Sequence, residues 1–392
     1  MSQITTITQQ KIIEFNTKVF SIYDKLQFSN KLSDTFDVYS FLKVLDMVNN
    51  NSSNDEYIIQ IDYQNLQDML HIAPKLDQKY KTNIYLNQIE YSLLPSFKSK
   101  MTNFCMEESK HNKKPTDSLN IVWIKSSFDD LDFDFYIKPK MSLFITLETK
   151  YECTKKLLYP FDCLYTKLRP FHINKKDFIK VPTATNNIET IVDQFYFKDI
   201  KSLIVCLRYK NDDNKMLIVM PDKPHTKTDL LKIIREKLDG GILNHIVSNL
   251  KPHTYSRLYM PILDEIYRGW EIYGNSSESR NIDTNNINVS VLRIPDTNFS
   301  NILTYNNEKT IKGIKIINIM NCFDDRCRDH ETCVNCGIED EEYHDFQCCR
   351  CDKYDNSSDI HDEHALYLNK CFIYLILNEK NLIGKIGIYN GK

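Results

Sequence analysis

Glycine is scarce in this chain, with 9 residues in 392, and tryptophan scarcer still at 2. No glycine-rich phosphate loop, dinucleotide fingerprint, nucleophile elbow or metal-hydrolase helix can be read in it, so those sequence routes to catalysis are absent. Long apolar runs are missing too. None reaches the ~18 residues of a membrane-spanning helix. The first residues, MSQITTITQQKIIEF, lack the basic start, apolar stretch and small-residue cleavage site of a signal peptide. The expectation is a soluble cytoplasmic protein rather than a secreted one, with no membrane span. Nor does one sign of charge dominate. Lys and Arg number 50 against 53 for Asp and Glu, a net charge of −3, which gives no general attraction for nucleic acid.

What remains is a chain with 42% hydrophobic and 11% aromatic residues, enough to bury a large core. Its bias toward Asn, Ile, Lys, Tyr and Asp fits an A+T-rich genome of the kind many large DNA viruses have. Residues 8–27 place Ile12, Ile13, Phe15, Val19, Phe20 and Tyr23 at helical spacing, and a second helix is expected over Ser40–Val48. Asn49 to Asp55 reads as a solvated connection. Strands are expected from Asn83 and over Met141–Glu152, Ser202–Tyr209 and Met216–Met220, with a helix opening near Pro95. Residues 226–249 suggest two helices split by Gly240 and Gly241, and Cys371–Leu377 with Leu382–Tyr389 suggests a terminal hairpin. Helices first and long strands afterwards make an α+β pattern with large mixed or antiparallel sheets.

Four collinear stretches go further: NIYLNQIEYSLLPSFKSKM from Asn83, YPFDCLYTKLRPFHINKKDFIKVPT from Tyr159, SLIVCLRYKNDDNKMLIVMPD from Ser202 with SRLYMPILDEIY from Ser256, and TNFSNILTYNNEKTIKGIKIINI from Thr297, leading to CFIYLILNEKNLIGKIG from Cys371. Together they resemble the serpin family over roughly 300 residues. The resemblance implies a single serpin-like domain over residues 1–392, a monomer that is not an enzyme and needs no cofactor, and a reactive loop between the last two stretches. Residues 28–80 match the family poorly.

An inhibitory serpin traps a protease by inserting its cut loop as a new central strand of its main sheet, which requires a hinge of small side chains. Alignment puts Asp324, Asp325, Arg326, Cys327 and Arg328, then Asp329, His330 and Glu331, in that hinge. In a strand, side chains alternate between faces, so each face would receive several charges whatever the register. Each unpaired buried charge costs several kcal/mol. Nearby departures are Lys315 for the family's buried His, Leu157 for its Trp, and Lys370-Cys371-Phe372 for its His-Pro-Phe. The expectation is a non-inhibitory protein that binds a host protein through this region. The alternative is an inhibitor of serine or cysteine proteases with an atypical loop, cut at Arg350.

Eight of the twelve cysteines follow residue 321, and seven of them fall within an elongated loop region, residues 322–364. Cys333 with Cys336 and Cys348 with Cys351 form two C-x₂-C pairs, a spacing that suits a tetrahedral Zn²⁺ site, with His330 and His344 as substitute ligands. Disulfides and free thiols are the other two readings. Cys105, Cys153, Cys163 and Cys206 read as small core or boundary residues. His172 and His245 have no sequence partner for acid–base work.

Overall fold

The computed structural model describes residues 8–28, 35–48, 63–74, 76, 79–87, 95, 118–124, 141–152, 158, 161–186, 188–210, 213–274, 289–294, 311–321 and 364–391. The backbone forms two compact units, each drawn from separated stretches of chain: residues 1–151, 265–319 and 382–387 in the first, the remainder in the second.

In the first unit, α1 (Gln9–Phe28) buries Ile12, Phe15, Val19, Ile22 and Tyr23 along one face. That is the i, i+3, i+4, i+7 stripe of an amphipathic helix. Asn16 lies on the same buried face, where its side-chain oxygen accepts a hydrogen bond from Ile383 N at 3.0 Å. The polar group is therefore satisfied, as burial demands. Strand β1 (Thr35–Asp37) runs directly into α2 (Val38–Val48) because Asp37 serves both: it ends the strand, and its carboxylate caps the helix by accepting from Ser40 N at 2.8 Å. The helix thus begins two residues earlier than its apolar spacing suggested. Helix α3 (Tyr63–Ile72) buries Leu66 and Met69. The tract at residues 49–55 lies outside the described residues, as does most of the helix expected near Pro95.

Six further strands of this unit are β2 (Lys79–Asn87), β3 (Ser118–Ile124), β4 (Met141–Glu152), β12 (Asp264–Gly274), β13 (Val289–Ile294) and β14 (Ile311–Asn321). They form one sheet in the order β13-β12-β14-β4-β2-β3. Strand β2 is parallel to β3 and antiparallel to β4, with Ile84 opposite both Ile121 and Ile145.

The second unit holds two sheets. One contains β10 (Lys251–Tyr255), β7 (Thr190–Phe197), β8 (Ser202–Arg208), β9 (Lys215–Pro221) and β16 (Phe372–Leu377), neighbours in that order. The other contains β5 (Asp162–His172), β6 (Phe178–Thr185), β11 (Leu258–Pro261) and β15 (Leu366–Tyr367). Strands β9 and β16 pair with Val219 opposite Ile373, and all six residues of β16 are buried. Each such side chain is worth roughly 1.5–3 kcal/mol of apolar burial, so the β9–β16 pair anchors this core.

Helix α4 (Lys227–Lys237) starts at a capping box, in which Thr226 accepts from Asp229 N while Asp229 accepts from Thr226 N. The two glycines expected to separate α4 from its successor instead lie inside α5 (Gly240–Asn249). Asp239 makes the break by capping α5, accepting from Ile242 N at 2.7 Å. The last strand, β17 (Ile383–Tyr389), follows a turn in which Asn381 adopts a left-handed φ of 65°. Among the described residues, no helix is long and apolar enough to cross a membrane.

Candidate functional site

The feature that could carry function is the connection from β14 to β15, residues 322–363. It leaves the six-stranded sheet at a particular place: β14 is the direct neighbour of β4, in the interior of that sheet. Asp324, Asp325, Arg326, Cys327, Arg328, Arg350 and the four cysteines at 333, 336, 348 and 351 all lie outside the described residues. The structure therefore fixes the two ends of this connection rather than its chemistry. Among the described residues, no group of three or more metal-ligating side chains occurs.

The far end is firmly fastened. From His364 the chain runs parallel to β11, with Ser256 N donating to His364 O at 3.0 Å, Leu366 N to Arg257 O at 2.9 Å and Leu368 N to Tyr259 O at 2.9 Å. Tyr259 and Tyr367 stack with ring centroids 4.5 Å apart, and the Arg169 guanidinium lies 4.7 Å from the Tyr259 centroid. Strand β11 is itself held by buried Asn186, whose side-chain oxygen accepts from Leu258 N at 2.7 Å and whose amide nitrogen donates to the Thr190 hydroxyl.

Beyond β15, Lys370-Cys371-Phe372 occupies the gateway to β16. The Lys370 ammonium donates to Asp222 O at 2.7 Å, and partial burial lowers its pKa, with Asp222 acting in the opposite direction. The Cys371 thiol is buried with its sulfur 3.8 Å from the carbonyl oxygens of His172 and Ile173. Phe372 stacks on Tyr389 at 5.3 Å. The three side chains thus serve as a polar strap, a packed thiol and a core anchor. The Lys370 and Cys371 contacts join residues some 150 to 200 positions apart in sequence, which local reading has no means to see.

The other singled-out residues have structural surroundings. His172 ends β5, bridges to Lys370 and lies 6.3 Å from the Phe178 ring. His245 is exposed on α5, near Phe195 and Phe197. Cys206 is buried in β8, and desolvation pushes its thiol up to about 11, which makes it a packing residue rather than a nucleophile.

The arrangement has relatives. Solved structures similar to this chain over nearly its whole length include mouse protein-Z dependent protease inhibitor, at 14% identity and a TM-score of 0.55, with 97% of each chain covered. They also include Serpin48 of the insect Tenebrio molitor, at 12% identity and 0.56 with 99% of each covered. A third is uncleaved ovalbumin, at 11% and 0.56, covering 97% of this chain and 100% of the other. This chain has the serpin fold. The family model described as serpin (serine protease inhibitor) matches residues 147–265, the stretch from within β4 to the start of β12. No curated protein sequence matches. The segment that the resemblance leads one to expect as the reactive loop, residues 322–363, begins where β14 ends beside β4.

Proposed function

We propose that this serpin-like protein does not trap proteases by loop insertion, and that it works instead as a binding protein whose cysteine-rich loop region meets a partner protein of the host. One observation supports this above the others: six of the eight residues 324–331 are charged. Inserted between two strands, Asp324, Arg326, Arg328 and His330 would face one side, and Asp325, Cys327, Asp329 and Glu331 the other. The second face would gather three carboxylates and no cation. Several kcal/mol for each unpaired charge far exceeds what the hinge backbone would gain by pairing. On this reading the protein is no enzyme and needs no catalytic cofactor.

The test is incubation with a panel of serine and cysteine proteases. The expected result is cleavage without a covalent product. An SDS-stable complex would instead establish the rival reading, an inhibitor with an atypical loop. Arg350 is that rival's scissile residue, and Arg350→Ala would then abolish the complex with a trypsin-like enzyme.

The two C-x₂-C pairs support a structural zinc in the loop region. Protein purified under reducing conditions then contains about one zinc per chain, and retention falls on acidification because the ligands are thiolates. Elemental analysis of a Cys333→Ser, Cys336→Ser variant beside the wild type decides it. Equal zinc in both would leave disulfides or free thiols as the account of the cluster.

A further inference from the structure

Each of the three sheets has two end strands, whose outer backbone N–H and C=O groups are open to pairing with a further strand. Among the described residues these are β1 and β10, β15 and β5, and β13 and β3. Five of the six carry a feature that discourages such pairing. Strand β1 has three residues and β15 two, which leaves little edge to bond. Strand β10 contains Lys251 and Pro252, β5 contains Lys167, Arg169 and Pro170, and β13 contains Arg293. A proline removes a donor, and a charge resists being laid against another strand.

Strand β3 has none of these features. Its seven residues, SLNIVWI, include no charge, no proline and no glycine. One of its edges is taken by β2, in a continuous parallel register from Lys81 opposite Ser118 to Asn87 opposite Ile124. No strand lies along the other among the described residues. A strongly β-forming, uncharged edge of this length is suited to strand addition.

The sequence around β3 indicates what pairs there. The ten residues before it hold Lys110, Lys113 and Lys114 against Glu108 and Asp117, and the ten after it hold Asp129, Asp130, Asp132 and Asp134 against Lys125. A second copy laid antiparallel brings the basic side of each chain to the acidic side of the other. About a two-fold axis at Ile121, Leu119 falls opposite Trp123 and Ile121 opposite its own copy. One position beyond each end of the strand, Asp117 matches Lys125, and the symmetry makes that pair twice. Counted further along the sequence, Lys113 matches Asp129 and Lys110 matches Asp132, while Glu108 with Asp134 is the one match of like sign. The pattern is therefore self-complementary.

We infer that β3 is a self-association edge, through which two copies of this chain pair antiparallel, in place of the monomer that the serpin resemblance implies. A strand of an unrelated protein would meet the same backbone groups but would have no cause to match the flanking charges.

The experiment is sedimentation velocity on the full chain from about 1 to about 200 µM, over which monomer should give way to dimer. Ile121→Lys sets two lysines against each other at the axis and should leave a monomer throughout that range, with a melting curve recorded to confirm that it folds. A second route does not touch the strand. Lys125→Asp stands opposite Asp117 in both halves of the dimer and should weaken association about tenfold, and adding Asp117→Lys should restore it. A wild-type monomer at every concentration would overturn the inference and leave the edge to another chain. So would a dimer indifferent to Ile121→Lys, or a double variant that associates no better than Lys125→Asp alone.

Discussion

Strand β16 and the stretch 324–331 are both candidates for the interior of a sheet, and their sequences could hardly differ more. Every residue of FIYLIL is buried in β16, whereas DDRCRDHE brings six formal charges. The molecule contains its own control for what a buried charge requires. Lys385, fully buried in β17, sits directly opposite buried Asp37 of β1 in the antiparallel register, and residues so paired share a face of the sheet. One buried cation thus has a carboxylate as its cross-strand neighbour. The hinge stretch would need six such provisions at once. Where the chain keeps apolar text it keeps the core of the serpin fold, and the charged text falls in the stretch on which the proposed loss of trapping rests.

The comparison is broken most forcefully at the Asp37–Lys385 pair. Asp37→Ala strands the lysine in the core and removes the cap of α2, so a loss of ~3–5 kcal/mol is expected in denaturant unfolding. The double replacement Asp37→Leu with Lys385→Met should recover much of that loss, because an apolar pair no longer has charge to desolvate. A double variant as unstable as the single one would show that the two charges are not coupled.

A smaller effect sharpens how tightly the buried hairpin is packed. A Cβ on Gly384 would fall 2.7 to 2.9 Å from three carbons of the buried Leu76 side chain. Gly384→Ala should therefore cost ~1–3 kcal/mol through overpacking, partly relieved by Leu76→Val. A neutral Gly384→Ala would mean that the neighbourhood yields easily.

Much of this core was legible in the text. Strand β4 has the bounds expected of it, Met141 to Glu152, and β9 extends the apolar run by one residue at each end. Three kinds of feature were not. Strand β10, KPHTY, contains a proline and is almost wholly exposed, so it is a strand because it pairs with β7 and not because its composition says so. Boundaries set by caps were misjudged: Asp239 and Asp37 decide where α5 and α2 begin, and each outweighs the glycine or apolar pattern beside it. The strap of Lys370 onto Asp222 joins residues far apart in sequence. Of the candidate site, the charge of the hinge was plain from sequence, while the fastening of β15 to β11 depended on contacts that only the fold creates.

The α4 cap offers a milder probe with a pH signature. Thr226→Ala removes the hydroxyl of the capping box and should cost ~1 kcal/mol at neutral pH. The hydrogen bonds from Thr226 hold the Asp229 carboxyl below its ordinary value, so its contribution is present above the ordinary carboxylate range and is lost as pH falls through the lowered value. The gap between wild type and variant should accordingly narrow under acid. A gap constant from neutral to strongly acidic pH would place the cap's worth elsewhere.

The smallest expected effect is the one that bears most on function. Limited proteolysis between residues 322 and 363 cuts the connection while β15 to β17 stay held by their own hydrogen bonds and burial. In an inhibitory serpin the freed hinge would enter the sheet and raise the melting temperature by tens of degrees. Here six charges oppose that entry, so the nicked protein should melt within a few degrees of the intact one. One kcal/mol moves the midpoint of a 150–250-residue chain by only ~2–4 °C, so a rise of tens of degrees has no explanation short of a new strand. A variant with residues 324–331 replaced by small uncharged side chains separates the possible causes. If charge is the only barrier, that variant should gain the large rise on nicking that the wild type lacks. If neither gains it, the block lies in the β4–β14 contact itself, and the charged hinge is a consequence of lost function rather than its cause.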